Sequence, residues 1–377
     1  MDEFPLLEEK EGIPLFFPFI PPNAIEEIQN TLSSRWIGQG PKVEKFEQDF
    51  QEKLNTNSKM VATGSGTDSL HLAYILAGIE RGDEVITPLF TCTATNLPLL
   101  YIGAKPVFID VDVQTMNINI SDIEKKITNK TKAIVSVDYG GIPVQYDVLA
   151  KIAKNNNLKF ISDAAQSIGT HYKGQSICEY ADFTAFSFQA IKTITTADGG
   201  MLAIKDKNLL EKAKRIRWFG IDRSSKQKGK WENDIKEIGY KYQMTDLSAC
   251  LGLAGLSHLD KIISLRKKLL DCYKAEINHP KIKVIYKQQN NIYDYCPWLC
   301  TILVEKDRKG LMKKLRENRI ESAQVHYRND RYSVFGGRSP NFINMDKIED
   351  QYLVLPLHHK ITLDNVKFIC SIINEGW

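Results

Sequence analysis

The chain has 377 residues, 43% of them hydrophobic and 25% charged, with a formal net charge of only +4. That composition fits a globular protein of one large and one smaller domain, and the scattered basic residues, free of any tract interleaved with aromatics, argue against nucleic acid as a partner. Seven cysteines with no CxxC pair, an acidic start (MDEFPLLEEKEG) unlike a signal peptide, and no bilayer-length apolar run predict a cytoplasmic protein with reduced thiols.

From about residue 59 to 204, short β-rich runs alternate with helical patterns. KMVAT (59–63), DEVITP (83–88), KPVFIDVD (105–112), KAIVSVDYG (132–140), KFISDAA (159–165), ADFTAFSF (181–188) and GMLAI (200–204) read as strands. Several are almost continuously apolar, as expected of strands covered on both faces. Between them, 67–79, 121–127 and 146–156 read as helices, with Ser121 as an N-cap and Glu124 as its capping-box partner. Alternation of this kind implies a largely parallel sheet with crossover helices. Beyond Lys205 the pattern changes: 207–217 and about 245–275 read as helices, the second long enough to bridge two domains. The polar segment 222–237 reads as an exposed loop, and from Ile282 onward shorter elements (a strand at 301–305, a helix at 308–318) suggest a small α+β unit.

Three short segments carry chemistry. GSGTDSL (64–70) follows a strand and opens a helix, so the amides of Gly66, Thr67 and Asp68 would converge on an anion such as phosphate; a tight turn capped by Thr67 is the plainer reading. In ISDAAQSIG (161–169), Asp163 ends an apolar strand, where α/β sheets collect ligands, and Gln166 follows three residues on. An aspartate there could hold a protonated ring nitrogen, or simply cap the next helix. In SFQAIKTITTADGGM (187–201), Lys192 lies just beyond a buried strand, where desolvation lowers the pKa of an amine and makes it a nucleophile toward aldehydes. A phosphate cradle, an acid opposite a pyridine nitrogen and a lysine that holds an aldehyde and then moves a proton are together what pyridoxal phosphate requires.

With those blocks in place, the chain resembles the DegT–StrS group of fold-type-I pyridoxal-phosphate aminotransferases, which act on nucleotide-linked keto sugars. The resemblance covers nearly the whole chain, through RWIGQGPKVEKFEQDF (35–50), GSGTDSLHLA (64–73), the block 82–112, the Asp163 and Lys192 segments, IGYKYQMTDLSACLGL (238–253) and LPLHHKIT (355–362). It implies an α/β fold with a mostly parallel seven-stranded sheet flanked by helices. A large cofactor-binding domain with an N-terminal arm would span 1–255, and a smaller C-terminal α+β domain 256–377. By the same resemblance Lys192 holds the cofactor covalently, Asp163 pairs with the pyridinium nitrogen and Gln166 contacts the phenolic oxygen, while Gly66, Thr67 and Ser187 bind the phosphate. His326 and Tyr327, in QVHYRND, match a block that lies near the sugar in relatives.

The implied reaction moves an amino group from glutamate to a nucleotide-linked keto sugar, most naturally a 4-keto-6-deoxy sugar, in amino-sugar and surface-polysaccharide (lipopolysaccharide, O-antigen) biosynthesis. The implied unit is a cytoplasmic homodimer that uses no metal. Five positions depart from the family pattern. Cys92 stands where an aromatic residue usually stacks on the cofactor, and reads as a small packing residue. Lys241-Tyr242-Gln243 stands where the family has Asn-Tyr-Arg, so Lys241 replaces an asparagine that reaches the phosphate of the neighbouring subunit and Gln243 an arginine; Asp138 replaces a frequent histidine, and Asp198 the glutamate usual in C4-type relatives. Amination at C3 remains an alternative. A dehydratase on the same scaffold, in which histidine replaces the lysine, and a non-catalytic scaffold are both disfavoured by the presence of Lys192 and Asp163.

Overall fold

The computed structural model describes residue 7, residues 11–232 and residues 234–377. The runs read as strands form one seven-stranded sheet: β1 Lys59–Thr63, β2 Glu84–Pro88, β3 Lys105–Ile109, β4 Thr131–Val137, β5 Lys159–Asp163, β6 Phe183–Ser187 and β7 Gly200–Ile204. Their spatial order is β1-β7-β6-β5-β4-β2-β3, and β7 alone runs antiparallel to its neighbours β1 and β6. Side chains alternate between two cores. On β7, Met201 and Ala203 join one hydrophobic cluster while Leu202 and Ile204 join the other; on β5, Phe160 and Ile161 divide in the same way. Burial on both faces is what makes these strands read as unbroken apolar runs.

The sheet's direction places the chemistry. Thr63, Asp163 and Ser187 end β1, β5 and β6 at one edge, and Gly200, which begins β7, pairs there with both Ser187 and Thr63. A second, antiparallel sheet joins Ile282–Ile285, Cys300–Val304 and Tyr352–Leu355 over its own core. The helix Leu259–Glu276 joins the two sheets, with Leu259 and Ile262 packed in a core of the large sheet and Leu269, Leu270 and Tyr273 in the core of the small one. Near the start of the chain Ile13 bridges to Ile320, and Glu321 accepts the Leu15 amide at 2.8 Å.

Three local expectations are corrected. Residues 121–127 are not a helix capped by Ser121. They form two 3-10 turns, Ile120–Asp122 and Glu124–Lys126, and Asn119 caps the first by accepting the Ser121 amide. The long run near 245–275 is two helices, Asp246–Leu256 and Leu259–Glu276, parted at Ser257 and His258. The helix expected over 67–79 spans Gly66–Leu76, and its cap is Ser65 rather than Thr67.

Candidate active site

At the end of β1, Ser65 sits in extended conformation as N-cap of the helix Gly66–Leu76, and its hydroxyl accepts the Asp68 amide at 3.0 Å. The first-turn amides of Gly66 and Thr67 precede the point where a helix supplies acceptors, so they face outward as an anion cradle at the positive end of the dipole. Glycine is required here by close approach. A Cβ on Gly66 would lie 2.8 Å from the Cβ of Ser187, and one on Gly200 would lie 2.3 Å from the Ser65 carbonyl oxygen. Gly66 and Ser187 are therefore in close contact at one sheet edge, with Thr67 next to Gly66 in the first turn of the helix. Asp68 stands beside the cradle. Burial, and secondarily the charge of Asp198, hold its pKa up at about 6 against the hydrogen bonds from Ser65.

Asp163 is buried at the end of β5. One carboxylate oxygen accepts the Thr95 hydroxyl at 2.7 Å and the other the Ala165 amide at 3.1 Å. No helix follows it, so the capping reading fails, and the carboxylate lies near enough to Lys192 to feel its charge. Burial raises its pKa, opposed by those two donors and the charge of Lys192. Lys192 lies in the loop between β6 and β7 with its ammonium 4.0 Å above the ring of Trp298. Burial lowers its pKa to about 8, with Asp163 and Cys92 pulling the other way. An amine of that pKa is substantially neutral, hence nucleophilic, just above neutral pH. Trp298 and Thr95 were not among the residues singled out from sequence. Thr95 lies inside the quoted block 82–112, whereas nothing local marks Trp298, which arrives from more than a hundred residues away.

Gln166 is locked behind this pair: its amide oxygen accepts the Gly140 amide at 2.7 Å, and its nitrogen lies 3.1 Å from His326 Nε2. His326 stacks at 21° on Trp298, and Tyr327 pairs with Thr91 across a two-residue bridge that brings the small sheet's side to the site. Cys92 is exposed at the N-terminus of the helix Thr93–Ile102, close enough to Lys192 to act on its charge, so the packing role expected of it is corrected. Lys241 does not join the group within this chain. It is exposed, with its ammonium 5.2 Å above the ring of Phe219, although the next residue, Tyr242, accepts the Gly64 amide at the cradle. Asp138 is fully buried and structural: it accepts from the Val144 amide and the Tyr146 hydroxyl, and burial raises its pKa to about 7. The segment 222–237 is not loop throughout: Asp222 caps a short helix, Arg223–Gln227, in which Arg223 bonds Gln39 and lies over Trp218, and Lys226 lies over Trp218 and Trp231, so these two cations are engaged within the chain.

A seven-stranded, mostly parallel sheet with an anion cradle, a buried carboxylate and a lysine of lowered pKa along one edge defines the class: a lysine enzyme built to hold a phosphorylated aldehyde cofactor. The residues fit pyridoxal phosphate on structural grounds. The cradle's glycines leave no room for a Cβ, and the buried Asp163 lacks a cationic partner other than Lys192 among the described contacts. The DegT/DnrJ/EryC1/StrS aminotransferase family matches residues 19–374, and the chain belongs to that family. It is a pyridoxal-phosphate-dependent aminotransferase of fold type I. It is 33% identical over 366 residues to the GDP-perosamine synthase of Escherichia coli O157:H7, covering 96% of this chain and 98% of that one. Among solved structures, AtS13 from Actinomadura melliaura superposes with a TM-score of 0.91 at 30% identity, covering 98% of this chain and 100% of that one. The putative sugar aminotransferase Spr1654 from Streptococcus pneumoniae, in its PMP form, has a TM-score of 0.91 at 29% identity, covering 96% and 98%.

Proposed function

We propose that this aminotransferase delivers the amino group of glutamate to a keto sugar carried on a nucleotide, at C4 of a 4-keto-6-deoxy sugar. The observation that carries the reading is the buried Asp163 at the end of β5 with Lys192, on the loop after β6, near enough for each to feel the other's charge, and the similarity to a GDP-perosamine synthase supports a nucleotide-sugar substrate. When bound, the cofactor supplies a protonated ring that withdraws charge from the reacting carbon. Asp163 keeps that ring nitrogen protonated by facing it with a buried carboxylate, which Thr95 and the Ala165 amide hold in place. Lys192, once released, takes a proton at its Nζ from the amino donor's side and returns it one carbon away, base and then acid. Its pKa near 8 suits both roles. Gly66, Thr67 and Ser187 grip the phosphate, Gln166 donates to the phenolic oxygen, and His326 and Tyr327 border the sugar. Cys92, short and exposed, leaves the cofactor face less covered than an aromatic side chain would. The active unit is a homodimer, in which the outward-pointing Lys241 reaches the phosphate in the partner. The large domain runs over 1–255 and the small one over 256–377.

The test is spectroscopic. The purified enzyme is charged with glutamate until its visible band is replaced by that of the aminated cofactor, then dTDP-, GDP- and UDP-linked keto sugars are added singly. Return of the original band with a 4-keto nucleotide sugar is the expected result. Return with free keto acids but with no nucleotide sugar contradicts the substrate class, and a preference for 3-keto sugars moves the amination to C3.

A further inference from the structure

We infer that His326 is a positioning residue that acts through Gln166: a neutral imidazole whose unprotonated Nε2 accepts a hydrogen bond from the Gln166 amide and so presents that amide to the cleft as a donor only. The inference rests on the reading above in which Gln166 faces the cofactor's phenolic oxygen. A backbone N–H can only donate. Gly140 N–H lies 2.7 Å from one terminal atom of Gln166, and this identifies that atom as the amide oxygen. The other terminal atom is therefore the NH2 group, which can only donate, and its partner 3.1 Å away is His326 Nε2. That nitrogen carries no proton, and the imidazole proton resides on Nδ1. Protonating Nε2 would set two donors against each other in a buried position, a loss comparable to leaving a buried polar group without its partner.

The surroundings hold the pair in this state. Gly140 is also held through its following peptide, whose carbonyl accepts the Trp298 amide at 2.8 Å. A Cβ on the next residue, Gly141, would fall 2.1 Å from the Cys296 carbonyl oxygen, so the two loops are in direct contact. Trp298 then stacks on the His326 ring at 21°, Tyr139 meets it edge-on at 70°, and the Tyr352 hydroxyl donates to the His326 carbonyl. The nearby positive charge of Lys192, which lies on Trp298, also disfavours an imidazolium. One N–H of Gln166 is taken by His326, and the second is left for the site. A donor of fixed direction suits an anionic oxygen, and an amide free to rotate would lose that preference.

Two measurements decide it. The first uses the cofactor-free protein with 15N-labelled histidine and reads the tautomer of His326, assigned by the loss of its signals in His326→Gln. An Nδ1–H, Nε2-bare imidazole at neutral pH is expected; a proton on Nε2 overturns the inference. The second uses the holoenzyme. His326→Leu removes the acceptor and is expected to shift the visible absorption band and to speed loss of pyridoxal phosphate about tenfold, equivalent to about 1.4 kcal/mol. His326→Gln, whose amide oxygen can stand near the position of Nε2, restores most of both. In a Gln166→Ala background, His326→Leu changes neither. An equal effect in both backgrounds shows that His326 supports the fold and not Gln166, and overturns the inference. A holoenzyme indifferent to Gln166→Ala alone refutes the contact between Gln166 and the cofactor, while the tautomer measurement still decides the lock.

Discussion

At the scale of single residues, the site is a set of ionisable groups pushed away from their ordinary pKa values by burial and drawn back by named partners. The lowered pKa of Lys192, about 8, predicts that covalent capture of pyridoxal phosphate by the cofactor-free enzyme speeds up about tenfold per pH unit below 8 and levels off above it. Stopped-flow absorbance over that range checks this, and a rate still climbing steeply well above pH 8 contradicts it. Asp163→Ala removes the buried carboxylate proposed to face the ring nitrogen and should slow turnover about a hundred- to a thousandfold. Asp163→Asn should also be poor, because a neutral amide does not hold a pyridinium proton; a near-normal rate in the alanine variant contradicts the assignment. Asp68 provides a third case. Its folded pKa, about 6, lies above the ordinary carboxylate value, so the folded state binds the proton more tightly than the unfolded chain. The stability this contributes is present below the unfolded value of 3.8 and is lost as pH rises to about 6. Asp68→Asn should accordingly raise the melting temperature at pH 7, with less gain at pH 4, and should retain cofactor phosphate more tightly because a negative charge beside the cradle is gone.

At the scale of elements, the cradle depends on how closely β1, β6 and β7 approach. Gly66→Ala places a methyl group 2.8 Å from the Cβ of Ser187, a strand-end atom that cannot swing away. The expected cost is about 1–3 kcal/mol of stability, together with weakened cofactor retention, both readable by thermal unfolding with and without pyridoxal phosphate. Unchanged retention contradicts the cradle. The strands were legible in the sequence because burial on both faces writes them as short apolar runs between turns. Asp163 was legible because it ends such a run, and Lys192 because it follows one. Less legible were features fixed by partners distant in sequence. Trp298 meets Lys192 across more than a hundred residues, and Gln166 is fixed by Gly140 and His326. Short-range competition explains the other misses. Asn119 takes the Ser121 amide before Ser121 can cap anything, and the chain turns at His258 within a run whose helical periodicity continues on both sides.

At the scale of the whole molecule, the large sheet supplies the cradle and Asp163, while the segments beside the small sheet supply Trp298, His326 and Tyr327, and Trp298 packs in one cluster with Phe90 and Tyr139 on one side and Tyr352 and Val354 on the other. The proposed homodimer extends this logic to Lys241, which points away from its own site. Lys192→Ala and Lys241→Ala variants, each impaired alone, should recover part of the activity when mixed as heterodimers; a fully active monomer in sedimentation contradicts the arrangement. The central claim is that Lys192 holds the cofactor. Borohydride reduction of the holoenzyme, followed by digestion and mass spectrometry, tests it most directly. A pyridoxyl group is expected on the peptide containing Lys192 and on no other lysine, whereas a reduced adduct elsewhere, or an intact Lys192 in enzyme that has lost its visible band, contradicts that assignment.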